Sequence, residues 1–446
     1  MFDEPLFFRR TAFGPLITPW LGLFDDDEYA LSAVPFEIPE SADETAFLAM
    51  YRAEDARQFR LALAGWSFPS VNVVFAGRGN ALDPAAPDLV GYVANGAQPV
   101  RAPYFLAGLM YLDGDTLAKR WQTFVPHDFK PWVLKDGIGD DGVVFSANHL
   151  PAGSWYPLPR SFPSLGETDR SRRLRELLAA QPSFAADDFL DIRVDAIRPS
   201  ARDLARLVDV AAAQPGTQFS ADAAAALPVL LAWWNAGAAL DGSTPGTALA
   251  SFLTAALFLD NPAHLPLAED FGRGPSGLAA YLKAKVAALD GPAPPALTEA
   301  DLVFLDDVLG EAYRAVTGEG GAGTLEPASW DSWYAAAKLE DTVPTWKFLG
   351  GVDLGLPKLA HGPLLAADAD TLASQSGQSY SQLVAPGEAD GAQSVLPPGQ
   401  AEPGAGSPFE ASQVGLWAAG ALRPSPTSVP GIVELGLFGP LRVLEY

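Results

Sequence analysis

Glycine and proline set the strongest limit on what this chain can become. Its 446 residues include 42 glycines and 40 prolines. Both residues interrupt regular structure, glycine through backbone entropy and proline through its fixed φ and missing N–H. Short elements joined by long connections are the expected result. The clearest helical readings fall where these residues thin out, at Ser171–Ala180 and Ala201–Ala213, and at Thr298–Val316, where Thr298-x-x-Asp301 opens the helix and Gly318 closes it. A chain of this length exceeds one simple core, so one large domain or two to three smaller ones are expected.

The early part reads mostly as strands. Phe7–Thr11, Tyr29–Val34, Val71–Ala76, Leu89–Val93 and Gly142–Ala147 are short apolar runs between turn residues. One helix interrupts them. Ser41-Ala42-Asp43-Glu44 has the form of a capping box, and Phe47, Leu48, Tyr51, Phe59 and Leu63 follow at roughly helical spacing. The apolar run Ala223–Leu240 contains Pro228, Asn235 and Gly237 and reads as a buried helix pair, too interrupted for a membrane span. Beyond Ala366 the chain is rich in Gly, Pro and Ser, with only short strands. Strands first, helices in the middle and strands with loops last is an α+β layout. The expected segments are 1–180, 181–345 and 346–446.

Charge narrows the function. Lys+Arg 29 against Asp+Glu 54 leaves a net charge of −25, which repels phosphate backbones and anionic membranes, so nucleic acid and membrane partners are set aside. Hydrophobic residues at 48% and charged residues at 19% exclude a disordered chain. With no cysteine, thiol catalysis, disulfides and thiolate metal sites are excluded. The first residues, Met1-Phe2-Asp3-Glu4-Pro5, are acidic where an export signal is basic and then apolar. That leaves the compartment open.

Several motifs match only by letter. Gly272-x-Gly274-x-x-Gly277 has no strand before it and Pro275 within it, and Gly318-x-Gly320-x-x-Gly323 follows a helix, so both read as loops and not as phosphate cradles. His127, His149, His264 and His361 lack ligand spacing. Gly377-x-Ser379-x-Ser381 ends in serine where a nucleophile elbow needs glycine. Asp25-Asp26-Asp27-Glu28 lacks the glycine and alternation of a calcium loop and reads as a solvated turn.

Four stretches, in order, go further. The first is Pro69-x-x-Asn72-Val73-Val74-Phe75, then Gly91-Tyr92 and Gly96-x-x-Pro99-Val100-Arg101. The second is Trp121-x-x-Phe124-Val125-Pro126-x-Asp128-x-x-Pro131, followed by Ser146-Ala147-Asn148-His149-Leu150-Pro151. The third is Asp169-Arg170-Ser171-Arg172-Arg173-Leu174-Arg175-Glu176-Leu177-Leu178. The fourth is Gly377-Gln378-Ser379-Tyr380, Leu396-Pro397-Pro398-Gly399-Gln400, Ser407-Pro408-Phe409 and Gln413-x-x-x-Trp417. A weaker fifth, Leu230–Asn235 with Gly246 and Leu249, lies in the middle. Together they resemble the penicillin acylase family of N-terminal-nucleophile hydrolases, in the carboxy-terminal part of its large (beta) subunit.

The resemblance implies an Ntn-hydrolase-like αββα arrangement, partial because the N-terminal strands are lacking, with a helical middle and a loop-rich β tail. It implies that Asn148 donates to an oxyanion hole and that Arg170 orients the site, while Arg172, Arg173 and Arg175 form a basic helix face. The family's nucleophile is a serine freed at a chain start, whose own α-amine acts as base. Phe7–Pro15 resembles a segment inside the large subunit, so the resemblance puts this chain downstream of that serine, with no nucleophile of its own. Internal Gly-Thr bonds, as at Gly216-Thr217, lack the family's surroundings. A second chain carrying the α-subunit and the N-terminal serine region is thus the implied partner, with an acylated small molecule as substrate: a β-lactam side chain or an acyl-homoserine lactone. No cofactor is implied beyond a calcium ion, for which Leu158-Pro159-Arg160-Ser161 offers no carboxylate. Family members are usually periplasmic or secreted. Phe13, Phe409, Glu410 and Ser412 depart from the family pattern, which keeps open a non-catalytic relative serving assembly or binding.

Overall fold

The computed structural model describes residues 9–17, 29–31, 43–100, 121, 123–136, 142–147, 149, 151–153, 156, 169–195, 197–239, 246–255, 275–292, 294–317, 380–388, 390–396, 413, 416 and 420–434. The chain forms two compact units, Met1–Thr168 and Asp169–Tyr446.

The first unit begins with a small hairpin, β1 (Arg10–Thr11) against β2 (Gly14–Pro15). Two helices follow, α1 (Asp43–Arg52) and α2 (Ala56–Ala62). The apolar spacing predicts one helix here, but Asp55 ends it. Its carboxylate accepts from the Gln58 N–H at 2.8 Å and starts a new helix. Ser41, the proposed cap of the first helix, lies outside the described residues.

The sheet is antiparallel, in the order β3 (Val71–Gly77), β4 (Leu89–Asn95), β5 (Trp132–Asp136). The first two strands are where the sequence puts them. The third was not anticipated. The sequence points to a further strand at 142–147, where the described backbone forms no regular strand. Register explains two glycines. Gly91 faces Phe75 across the ladder, and a Cβ there would fall 2.3 Å from the Phe75 ring. Gly96 turns the chain with φ +93, against Ser70. On one face, α2 packs through Phe59, whose ring lies 5.1 Å from that of Phe75.

The second unit is mostly helical: α3 (Asp169–Ala179), α4 (Ala186–Val194), α5 (Pro199–Ala213), α6 (Ala221–Asn235), α7 (Gly246–Ala255), α8 (Pro275–Leu289) and α9 (Glu299–Thr317). Its core joins α5 through α9 around Leu204, Leu230, Trp233, Leu249, Tyr281 and Leu305, all at most 1% exposed. Each such burial is worth about 1.5–3 kcal/mol before chain entropy is counted.

Three expectations change here. The run expected as a helix pair is one helix, α6, opened by the Ser220 hydroxyl and carrying Pro228 inside. Of the first glycine motif, Pro275–Gly277 open α8, a position proline suits, while Gly272 and Gly274 lie outside the described residues. The second glycine motif lies outside the described residues. The Thr298 capping box forms as expected: the Asp301 N–H donates to Thr298 Oγ1 at 3.2 Å, and the Thr298 N–H to Asp301 at 2.9 Å.

The tail adds a small antiparallel sheet, β6 (Ser381–Val384), β7 (Ala392–Val395) and β8 (Arg423–Pro424), then α10 (Val429–Glu434). Mixed helix and sheet make the class α+β. No described helix is long and apolar enough to cross a membrane.

Candidate active site

In the first unit the motif residues meet on the sheet face opposite α2. The Tyr92 hydroxyl donates to Asn72 Oδ1 at 2.7 Å, joining the Gly91-Tyr92 and Pro69-x-x-Asn72 pieces across β3 and β4. Burial pushes the Tyr92 phenol well above its ordinary range. Tyr92 and Ala94 pack with Tyr156, Val144 and Ala152. The Tyr156 hydroxyl donates to the Phe129 carbonyl at 2.9 Å. The segment approaching Asn148 thus lies against β4. Around it, Ala147 is buried, its N–H donates to His149 Nδ1 at 3.3 Å, and the His149 ring lies 5.3 Å from Phe145. Asn148 itself lies outside the described residues.

Arg170 sits in the first turn of α3, half-buried, in the second unit. Asp169 just before it fixes the helix start, accepting from the Ser200 N–H at 3.1 Å and from Arg198 Nε at 2.8 Å. The expected basic face is only partly that. Arg175 is exposed. Arg172 instead pairs with the buried Asp203, and Arg173 grips Asp195 through two bonds of 2.9 and 2.6 Å. Glu176 receives Arg202 through two bonds of 2.7 Å and Arg173 at 3.1 Å. Burial alone would raise the Glu176 carboxyl, but Arg202 and Arg173 outweigh it and hold it below the usual carboxylate range. Burial does raise Asp203, against the pull of Arg172. This network locks α3 onto α5 and positions the turn that carries Arg170.

The remaining motifs also close on one another. The Leu396 N–H donates to the side-chain oxygen of buried Gln413 at 3.0 Å, joining two tail pieces. Gly246 stands where a Cβ would lie 2.2 Å from that of Trp233, so the α6–α7 contact requires glycine. Gly377–Ser379, Gln400, Phe409–Ser412 and Trp417 lie outside the described residues.

The chain matches the penicillin amidase family model over residues 3–433. It belongs to the penicillin amidase family. A solved structure, the thermostable penicillin G acylase from Alcaligenes faecalis, matches 98% of this chain and 78% of its own, with TM-score 0.59 and 16% identity. At that identity the likeness speaks for the fold. No curated protein sequence matches the chain.

Sequence reasoning missed the supporting acids. Asp195, Asp203 and Glu176 hold the α3 arginines, and their only signal was an acidic surplus near a basic helix. It also missed Arg60, which donates to Asp128 at 2.8 Å and lies 3.8 Å over the Trp132 ring. Among the described residues, no group of three or more acids or histidines could hold a metal. Leu158–Ser161 and Asp25–Glu28 lie outside them.

Proposed function

We propose that this chain is a subunit of an acyl-amide hydrolase. The serine nucleophile comes from outside these 446 residues, on a second chain that also supplies the α-subunit. Substrates in this reading are β-lactam side chains or acyl-homoserine lactones. The layers are the family's αββα, completed by strands of the partner. The observation that carries the reading is the family match over residues 3–433.

The chemistry follows from the roles. The serine hydroxyl gives its proton to its own α-amine and attacks the amide carbonyl carbon. An α-amine titrates near pH ~7.7–8 and suits that work. The carbonyl oxygen becomes an oxyanion, which the Asn148 side-chain N–H and a backbone N–H stabilise. Collapse breaks the C–N bond, the amine leaves with the proton, and water then releases the carboxylate. Arg170 keeps the site-orienting role that the resemblance implies. The α3–α5 network supports this role, because a fixed helix start limits where Arg170 can reach.

Asn148→Ala in the co-expressed complex tests the reading. The expected result is a kcat lower by about 10²–10³, the usual effect of losing one oxyanion donor. Unchanged turnover would remove Asn148 from the mechanism.

A further inference from the structure

A second polar cluster lies in the first unit, on the sheet face that α2 covers. Asn95 ends β4 and is 0% exposed, yet neither its Oδ1 nor its Nδ2 has a hydrogen-bond partner. The β4–β5 ladder pairs Val93 with Trp132, and the Ala94 N–H donates to the Pro131 carbonyl at 2.9 Å. Continued by one residue, that register sets Asn95 opposite Lys130. Lys130 is 7% exposed, and no described carboxylate lies within ion-pair distance of it. Two residues apart on one extended segment, Lys130 and Trp132 share a face. Arg60 covers the Trp132 ring from α2, is 9% exposed and leaves its Nε unpartnered. Beside them, burial and the charges of Lys130 and Arg60 depress the His127 imidazole, against a weaker opposing pull from Asp128 and the Arg60 main chain. Neither His127 ring nitrogen makes a hydrogen bond at ordinary geometry.

The charge balance does not close. Among the described residues the only carboxylate at the cluster is Asp128, 81% exposed and already bound by Arg60. Two buried cations and an unsatisfied amide thus share one exposed acid, in a chain of net charge −25. Buried charges are ordinarily paired and buried amides ordinarily bonded, because leaving them bare costs more than any single contact returns.

We propose that Asn95, Lys130 and Arg60 form a binding site for a small oxyanion, a carboxylate or a phosphoryl group. Lys130 and Arg60 Nε supply charge-assisted donors, and the Asn95 amide supplies a neutral one. His127 flanks the site. This inference does not depend on the proposed amidase activity, since it uses neither Asn148 nor Arg170.

The test is calorimetric titration and thermal denaturation of the full chain, with any subunit that co-purifies. The probes are sodium acetate and inorganic phosphate, with chloride as the ionic-strength control. The expected result is saturable one-to-one binding of at least one probe at millimolar concentration, with a matching rise in Tm. Acetate alone would assign a carboxylate ligand and phosphate alone a phosphoryl group, and either sustains the site. Lys130→Met should weaken that binding at least about tenfold, the loss of one charged hydrogen bond. Asn95→Asp places a carboxylate opposite Lys130, so it should raise Tm without added anion and abolish the response. The proposal is overturned if neither probe binds above the chloride control, or if both variants bind as the wild type does.

Discussion

The two units of this chain differ in how far they pair buried charge and cover apolar surface. In the second unit Arg172, Arg173 and Arg202 each meet a carboxylate, and α5 through α9 share one continuous core. Arg193 differs: it is 8% exposed, and among the described residues its bond is to the Ser381 hydroxyl at 3.3 Å. In the first unit, among the described residues, Lys130 has no acid within ion-pair distance, Arg60 has an exposed one, and several large apolar side chains stay open. Val74 is 46% exposed, Trp132 45%, Phe129 64% and Tyr51 89%. Both β3 and β5 are edges of the described sheet, and open edges beside open apolar faces invite further packing. Among the described residues, the helical unit pairs more of its buried cations with acids and covers more of its large apolar side chains than the sheet unit does.

That contrast can be broken most forcefully at Trp233. If the helical core is self-sufficient, Trp233→Ala should cost about 3–5 kcal/mol of its stability by chemical denaturation. A loss under about 1 kcal/mol would mean that the core does not carry the unit. At Lys130 the sign should reverse. Desolvation pulls its ammonium down to about 8. Lys130→Met should therefore stabilise the anion-free protein at pH 7, on the order of 1–3 kcal/mol. The sign also fixes the pH dependence. Between about 8 and the ordinary lysine value of 10.5 the unfolded chain binds more protons than the folded one. Wild-type stability should therefore climb through that window and close the gap to the variant. A gap that widens with pH would show that Lys130 is paired after all. The smallest effect belongs to a cap. Thr298→Ala should cost about 1 kcal/mol, read as a Tm shift of a few degrees in the second unit.

How much was legible in the sequence follows the same division. Val71–Gly77 and Leu89–Asn95 could be read because β-branched and aromatic residues cluster between turns. The helix Glu299–Thr317 could be read because Thr298 and Asp301 cap each other. Trp132–Asp136 is a run of only five residues, bracketed by Pro131 and Asp136-Gly137, and too short to stand out until its pairing with β4 is seen. The helix Ala186–Val194 was hidden because Ala185 precedes it and no side chain there caps it. Asp188 does that work instead, accepting from the Ala185 N–H at 2.6 Å. At the candidate site, the motif order picked out Asn148 and Arg170. The acids that fix α3, at positions 195 and 203, come from distant turns of sequence that no local spacing connects to it. Long-range charge pairing is set by the fold.

Whether the sheet unit is completed by another chain is tested most directly by isolating the tagged protein from its native host. The measurements are a mass spectrum and N-terminal sequencing of whatever accompanies it. The account predicts a stoichiometric second chain that begins with serine, and release of acid from an acyl-amide substrate by the pair but not by this chain alone. A monomeric product that unfolds cooperatively by itself, with no second chain bound, would contradict it.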